Sequence, residues 1–495
     1  MRLKEIHVRN FRSCKDTTIV CDPVLTVLVG ENNSGKSNII DAIRLALAPA
    51  SGRRIRYFEK EEDFCLSSPD DPIELRVNFD ELTPTQRGLF TTAIDEQADE
   101  VIYKTRFRLD DKAPHGARTD RLSGPADGPD AEPENRDRIC QVYLPPLRDA
   151  QRALDSSQGG RLAHIVQSLA SAEELDDFTA TAAQGLQSLS EHPVIEQVRS
   201  GMAEQLSDLT RPVREQNLEI RPADQSIRKL TSSLRMKMAE RGMEPTDLSG
   251  SGLGYSNLLY LSSVVLELQK ALTNELTVFL VEEPEAHLHP QLQRVLLDFL
   301  LEAAEESADR NDEDGPAGRI QVIVTTHSPN IASSVGTSRI VVTKGETDST
   351  GSTSEEHPEE ANEASVESIF PHTIALALSK LNLADTDRMK IDRYLDVTRA
   401  ELLFGRRFLL VEGISEALLI SAFAEATLAP EQYKGSWRGV TVVNVGSVDF
   451  APYLHLLLDS IDGHQLADYV AVMTDGDPEL SSDDDIGQAN SRAED

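Results

Sequence analysis

Short apolar runs that end in a polar or glycine-rich turn recur at wide intervals along this chain. Val24 to Val29 is one, Leu276 to Val281 a second, and Gln321 to Thr325, rich in β-branched residues, a third. A continuous apolar run of this length bounded by turn signals predicts a buried strand. Ile6 to Ser13 alternates instead and predicts a half-buried strand. Helical patterns follow two of the turns, over Ser37 to Leu47 and Tyr255 to Leu268. A longer stretch, about Ala153 to Arg235, spaces Leu162, Ile165, Val166, Leu169, Leu186, Leu189, Val194, Ile195 and Val198 helically, and predicts an inserted helical pair or bundle. Thr373 to Leu403 reads as a short helical link. Arg407 to Val411 and Tyr469 to Met473 then predict two more strands, with a helix from about Ser415. No internal repeat is visible.

The turns after these strands carry the chemistry. Gly30-Glu31-Asn32-Asn33-Ser34-Gly35-Lys36-Ser37 fits G-x-x-x-x-G-K-[ST] between a strand and a helix, as a phosphate-cradling loop requires. Its glycines let backbone N–H groups converge on an anion, and the helix through Asn38 adds the positive end of its dipole. Lys36 is expected to reach the β- and γ-phosphates of ATP, and Ser37 to hold Mg²⁺. The second strand ends in Glu282-Glu283-Pro284-Glu285. Glu282 is expected near Mg²⁺ and Glu283 beside the attacking water. The third delivers His327, a candidate sensor of the γ-phosphate. A second Gly/Ser-rich loop, Leu248 to Gly254 with Ser251 and Gly252 at its centre, opens a helix and offers another anion site. One nucleotide rarely needs two such loops from one chain, so this one is expected to close on a partner subunit's ATP, a flexible loop being the plainer alternative. Arg12 would lie near the nucleotide's edge.

Taken in order, Phe11-Arg12-Ser13, the Lys36 loop, the Gly252 loop, the acids after Leu276 to Val281 and His327 resemble an ABC-type ATPase head. The version Glu282-Glu283-Pro284-Glu285-Ala286-His287-Leu288-His289-Pro290 is similar to that of the OLD (overcoming lysogenization defect) family. That resemblance implies a C-terminal Toprim nuclease domain, and the C-terminal acids suit one. Glu412 follows one strand, and Asp475 and Asp477 follow the other. Acids so placed can share a hard divalent ion such as Mg²⁺ or Mn²⁺, which activates water for phosphodiester cleavage. By resemblance Glu412 is the Toprim glutamate, Asp475 and Asp477 its Asp-x-Asp, and Glu416 a further acid of OLD proteins. OLD-type domains carry later acids and a lysine, whereas here no lysine follows Asp475; a weak or truncated nuclease is therefore expected.

Composition adjusts this picture in two places. Lys and Arg number 49 against 84 Asp and Glu, a net charge of −35, which argues against general DNA affinity because such binding draws on cations neutralising phosphates. Much of the excess lies in segments that read as loops: Glu302 to Asp314, Ala113 to Arg138, and Gly345 to Val366, a Ser/Thr/Glu run without Lys or Arg that reads as a disordered linker. Basic residues gather at Arg53, Arg54 and Arg56, at Arg211 and Arg214, at Arg406 and Arg407, and over Arg228 to Lys237, a helical segment suited equally to lining DNA or to an ordinary solvated face. No apolar run of about 18 residues is present to span a membrane, and Cys14, Cys21, Cys65 and Cys140 show neither disulfide nor zinc spacing, which suits a cytoplasmic protein.

The expected fold is α/β: an ABC-type P-loop head with a helical insertion, followed by a Toprim-like domain. The expected segments are 1–152 and 236–344 for the head, 153–235 for a dimerising insertion, 345–370 for an acidic linker, 371–403 for the helical link, 404–480 for the nuclease domain and 481–495 for a tail. The expected function is ATP-controlled, metal-dependent DNA cleavage by a homodimer, joined through head and insertion, in defence against foreign DNA or in repair, with room for a partner protein from a neighbouring gene. The alternative is a regulatory DNA-binding ATPase with an inert Toprim remnant.

Overall fold

The structure is a computed structural model. It describes the chain except for residues 50–57, 59–62, 66–70, 111, 114–115, 147–153, 155–161, 163–164, 167–169, 211–215, 217, 222–226, 233, 235, 240–241, 249–252, 269–272, 287, 309, 311–315, 348–370, 396–399, 428–436 and 475–495. The described chain forms two compact units, Met1–Pro146 with Ala271–Asp495, and Leu147–Lys270.

The first unit begins with β1 (Arg2–Phe11), β2 (Cys14–Val20), β3 (Leu25–Gly30), α1 (Lys36–Ala46), β4 (Ile73–Asp80), β5 (Glu100–Leu109), β6 (Ala117–Ser123) and β7 (Ile139–Leu144). After the second unit it resumes with β8 (Leu276–Glu282), α2 (Pro290–Ala308), β9 (Arg319–Thr326), α3 (Pro329–Ser334), β10 (Ile340–Glu346), β11 (His372–Ala377) and α4 (Asp385–Tyr394). It ends with β12 (Arg407–Val411), α5 (Ile414–Thr427), β13 (Val440–Asn444), α6 (Ala451–Leu458) and β14 (Tyr469–Met473).

Three sheets organise these elements. One is antiparallel, in the order β2-β1-β4-β5-β6 with two two-residue strands at its margin. The next runs β11-β10-β3-β9-β8-β7 and is parallel except for β11. Its inner strands β3 and β8 are buried at every position, as strands covered on both faces must be. Helix α1 lies between the two sheets: Ile39, Ile40, Ile43 and Ala46 join one core with Val8, Phe11 and Ile73 of the first and with Leu28, Val278 and Leu280 of the second. Helix α2 buries Leu296, Leu297, Leu300 and Ala304, and packs on β9. The third sheet is a parallel trio, β13-β12-β14.

The sequence reading needs correction in four places. The helical link over 371–403 begins as β11, paired antiparallel with β10 from Val341↔Ala377 to Glu346↔His372, so it belongs to the ATPase sheet; α4 forms only its middle. Ala113 to Arg138 is largely ordered rather than a loop. It holds β6, an edge strand whose solvated face carries Arg118 and Asp120, so its alternation is polar and easily missed. Glu302 to Ala308 continues α2 with its acids in solvent, although the acidity suggested a loop. Gly345 and Glu346, taken as linker, end β10; residues 348–370 of that linker, and the tail 481–495, lie outside the described residues. The four cysteines are free, and burial pushes the Cys14 and Cys21 thiols up to about 12.

The second unit is wider than the 153–235 read from periodicity. It holds a helical hairpin, Ala172–Ser190 and Pro193–Thr210, and a helix over Leu253–Leu268. Ser171 caps the hairpin's first helix in a reciprocal capping box with Glu174. Leu189, Val194 and Val198, part of that helical spacing, stand exposed, because two helices alone cannot cover both faces of each.

Candidate functional site

The phosphate loop forms where β3 ends between β9 and β10. Both of its glycines are required by close neighbours. A Cβ on Gly30 would lie 2.3 Å from the Thr343 carbonyl oxygen, and one on Gly35 would lie 2.0 Å from Thr373 Oγ1. Gly35 also takes a left-handed φ of +93°. Lys36 is folded into the loop. Its Nζ donates to the Gly30 and Glu31 carbonyls, both at 2.9 Å, and to Ser34 Oγ at 3.3 Å. Burial lowers the Lys36 pKa to about 8, against the opposing pull of Glu283, Glu285 and Glu31. An anion is the partner such a cation lacks. Asn32, Asn33 and Ser37 are exposed around it, and Asn33 sits at φ 62°.

Arg12 is held at the other side of α1. It donates to Asn38 at 3.2 Å and to Asp41 at 3.1 Å, and pairs with buried Asp63 at 3.0 Å. Asn38 in turn donates to Ser13 Oγ at 2.7 Å. Arg12 and Asn38 thus brace the start of α1.

The ends of β8 and β9 supply the acids and the histidine. Glu282 is buried, 6% exposed, and accepts a hydrogen bond from the Tyr143 hydroxyl at 2.5 Å. Glu283 turns sharply out of the strand at φ 42°, its N–H donating to the Thr325 carbonyl at 3.0 Å. Its carboxylate lies 3.5 Å from His327 Nε2. Glu285 Oε1 accepts from the His327 N–H and from Thr326 Oγ1, both at 2.7 Å. Burial, and then the charge of Lys36, lower the His327 pKa from its ordinary value, against the opposing pull of Glu283 and Glu285. The structure therefore brings Lys36, Glu283, Glu285 and His327 within electrostatic reach of one another. Exposed Ser37 and buried Glu282 are oxygen ligands of the kind a hard cation shares with phosphate. Ser251 and Gly252 lie outside the described residues.

The parallel trio carries the second cluster. Val411 and Met473 are in register, so the residues that follow them meet: Thr474 Oγ1 donates to Glu412 Oε2 at 2.7 Å. Glu416, at the start of α5, lies against Gly413, where an added Cβ would come within 2.7 Å of its Oε2. That oxygen is buried without a hydrogen-bond partner among the described residues, which suits a cation. Asp475 and Asp477 lie outside the described residues, and no group of three potential metal ligands is gathered among those described.

The sequence reading missed Tyr143, Glu285, Thr343 and Thr373. Glu285 stood inside a motif already noticed. The run Ile139 to Leu144 before Pro145-Pro146 was a strand signal that would have placed Tyr143 at a strand end.

Comparison with known proteins fits this geometry. Residues 25–333 match the family model "AAA domain, putative AbiEii toxin, Type IV TA system", and residues 403–477 match "Overcoming lysogenization defect protein-like, TOPRIM domain". The chain is 26% identical over 427 residues to an OLD nuclease of Thermus scotoductus, covering 84% of this chain and 72% of that protein. It is 24% identical over 361 residues to the Old nuclease of Escherichia phage P2, covering 67% of this chain and 57% of that one. A 54-residue stretch is 44% identical to the DNA replication and repair protein RecF of a Synechococcus strain, 11% of this chain and 14% of RecF. With a nucleotide-type loop and paired acids on the head and a strand-end glutamate on the parallel trio, the chain belongs to the AAA-domain family, joined to a C-terminal TOPRIM domain of the OLD-like type.

Proposed function

We propose that the head hydrolyses ATP with Mg²⁺, and that the C-terminal trio cleaves or nicks DNA with Mg²⁺ or Mn²⁺ under the control of that hydrolysis. The observation that carries the first half is the meeting of Lys36, Glu283 and His327 at the tips of adjoining parallel strands. Lys36 neutralises phosphate charge. Glu283, held by its backbone to Thr325, accepts a proton from the attacking water, and His327 beside it contacts the terminal phosphate. Ser37 and Glu282 would hold the ion, which when bound would stabilise charge on the phosphate.

For the second half, Glu412 follows β12, Glu416 lies at the start of α5, and Asp475 and Asp477 come in sequence just after Thr474. The pairing of Thr474 with Glu412 supports that convergence. Two active heads fit a homodimer in which Ser251 and Gly252 of one subunit close over the other's ATP. The helical hairpin, with Val194, Val198 and Met202 exposed along one helix, supports a further subunit contact. No described helix is long and apolar enough to cross a membrane, and a cytoplasmic role in defence or repair is the setting we infer.

The test is nicking of supercoiled plasmid by the full chain with Mg²⁺ or Mn²⁺, beside Glu412→Ala and Glu416→Ala. Metal-dependent nicking that Glu412→Ala removes supports the reading. Nicking that survives Glu412→Ala unchanged refutes it. ATP hydrolysis without any cleavage leaves the regulatory ATPase in its place.

A further inference from the structure

We propose that Tyr143 is a positioning residue of the ATPase, its hydroxyl fixing one oxygen of Glu282 so that the other faces the nucleotide's divalent ion. This rests on the nucleotide-site reading above and adds a residue from a strand outside every motif in that site.

The register of the sheet places the pair. Tyr143 on β7 is aligned with Leu280 on β8. Glu282 is two residues further along β8, so it shares a face with Leu280 and with Tyr143. That face is the one α1 covers, since Leu280 and Ile43 join the same core. The Tyr143 hydroxyl donates to Glu282 Oε2 at 2.5 Å, and this is the hydrogen bond the described residues give that carboxylate. This carboxylate is only 6% exposed, and a largely buried charge is stabilised by a cation or by several donors. Its remaining oxygen is available for a divalent ion.

Arg44 holds the ring. Its guanidinium lies 3.7 Å from the Tyr143 ring centroid. Its Nη1 donates to Asp41 at 2.8 Å, while its buried Nε has no hydrogen-bond partner among the described residues. The ring face is therefore a main holder of that guanidinium, through a cation–π contact. Burial, and then the Glu282 bond, raise the Tyr143 pKa. Helix α1 begins at Lys36 and carries Arg44 in its last turn, so one helix sets both the phosphate contact and the brace on the ion's carboxylate.

Tyr143→Phe tests this by removing one hydroxyl and leaving the ring for Arg44. The readout is binding, not turnover: calorimetric affinity for ADP with Mg²⁺ and, separately, with EDTA. The gain in affinity that Mg²⁺ confers should fall about tenfold or more, since outer hydrogen-bond partners of metal ligands are worth 10–100-fold. Affinity in EDTA and thermal midpoint should match wild type. Arg44→Leu, which keeps the hydroxyl but removes its holder, should shift the same ratio in the same direction, and carries the test should Tyr143→Phe not fold. A Mg²⁺-dependent gain within twofold of wild type in either folded variant overturns the proposal. So does an equal loss with Mg²⁺ and with EDTA, which marks a merely structural residue. Wild-type protein that binds no ADP under either condition overturns the nucleotide-site reading, and this proposal with it.

Discussion

Raising the pH from 7.5 to 9.5 should weaken nucleotide binding through Lys36 alone. In the free protein this lysine is buried in its own loop, and desolvation holds its pKa at about 8 rather than 10.5. A bound phosphate would stabilise the charged form, so binding at high pH must first return a proton. With the free pKa at about 8, the proton penalty factor is about 1.3 at pH 7.5 and about 33 at pH 9.5, a loss of about 25-fold in apparent affinity. The sign is fixed: affinity is level below the free-state pKa and falls tenfold per pH unit above it. The terminal phosphate itself titrates near pH 6 and is fully charged across this range. Calorimetry with ADP in EDTA, run in two buffers of different ionisation enthalpy, measures both affinity and protons taken up. Uptake should approach one proton per ADP at pH 9.5. Lys36→Arg, whose cation does not titrate, should lose the slope whatever its affinity. Flat affinity to pH 9.5, or no proton uptake, would refute the claim that burial in the loop lowers the pKa of this lysine.

The other expectations concern the same head. Glu283→Gln should retain ATP binding and slow hydrolysis strongly, because the amide cannot accept a proton from water; if Glu282→Gln stops turnover and Glu283→Gln does not, the two acids are misassigned. Gly35→Ala should cost about 2–4 kcal/mol, part from the left-handed φ and part from the overlap with Thr373. Thr373 cannot move aside, since its Oγ1 meets Ser13 Oγ at 2.7 Å and its N–H donates to the Ser13 carbonyl at 2.7 Å. Thr373→Ala should therefore recover some of the loss in a double-mutant cycle by thermal melting, and strict additivity would count against the contact. In a mixed dimer of Lys36→Ala and Gly252→Asp subunits, one composite site carries both lesions and the other neither, so about half the wild-type ATPase rate should return; no recovery over either parent would exclude sharing of sites.

What could be read from the sequence was what is local in the chain. The phosphate loop, Glu282-Glu283, His327 and Glu412 each end a buried strand, and an apolar run followed by a polar turn is visible within ten residues. What could not be read was what the fold brings together. Gly35 reads as a loop glycine, but the atom that forbids a side chain there belongs to Thr373, on a strand that pairs with β10. Tyr143 reaches Glu282 only because β7 lies beside β8 in the sheet, an order no local pattern encodes. Strand β6 was mistaken for a loop because at a sheet edge its solvated face is Arg- and Asp-rich. Leu189, Val194 and Val198 keep the helical spacing that predicted the insertion, but spacing alone does not say what covers them, and in this chain they stand exposed.

The central claim is that two separable chemistries share this chain, and paired assays on single preparations test it most directly. Wild type, Asp475→Ala and Asp477→Ala are each assayed for phosphate release from ATP and for nicking of supercoiled plasmid with Mg²⁺ or Mn²⁺. Both aspartates are expected to hold one hard cation, so either loss removes its charge or its geometry. The predicted result is modest nicking by wild type, stronger with Mn²⁺, no nicking by either variant, and ATP hydrolysis near the wild-type rate in all three. Wild-type protein that cuts no plasmid under either metal, with or without ATP, or variants that cut as well as wild type, would contradict it.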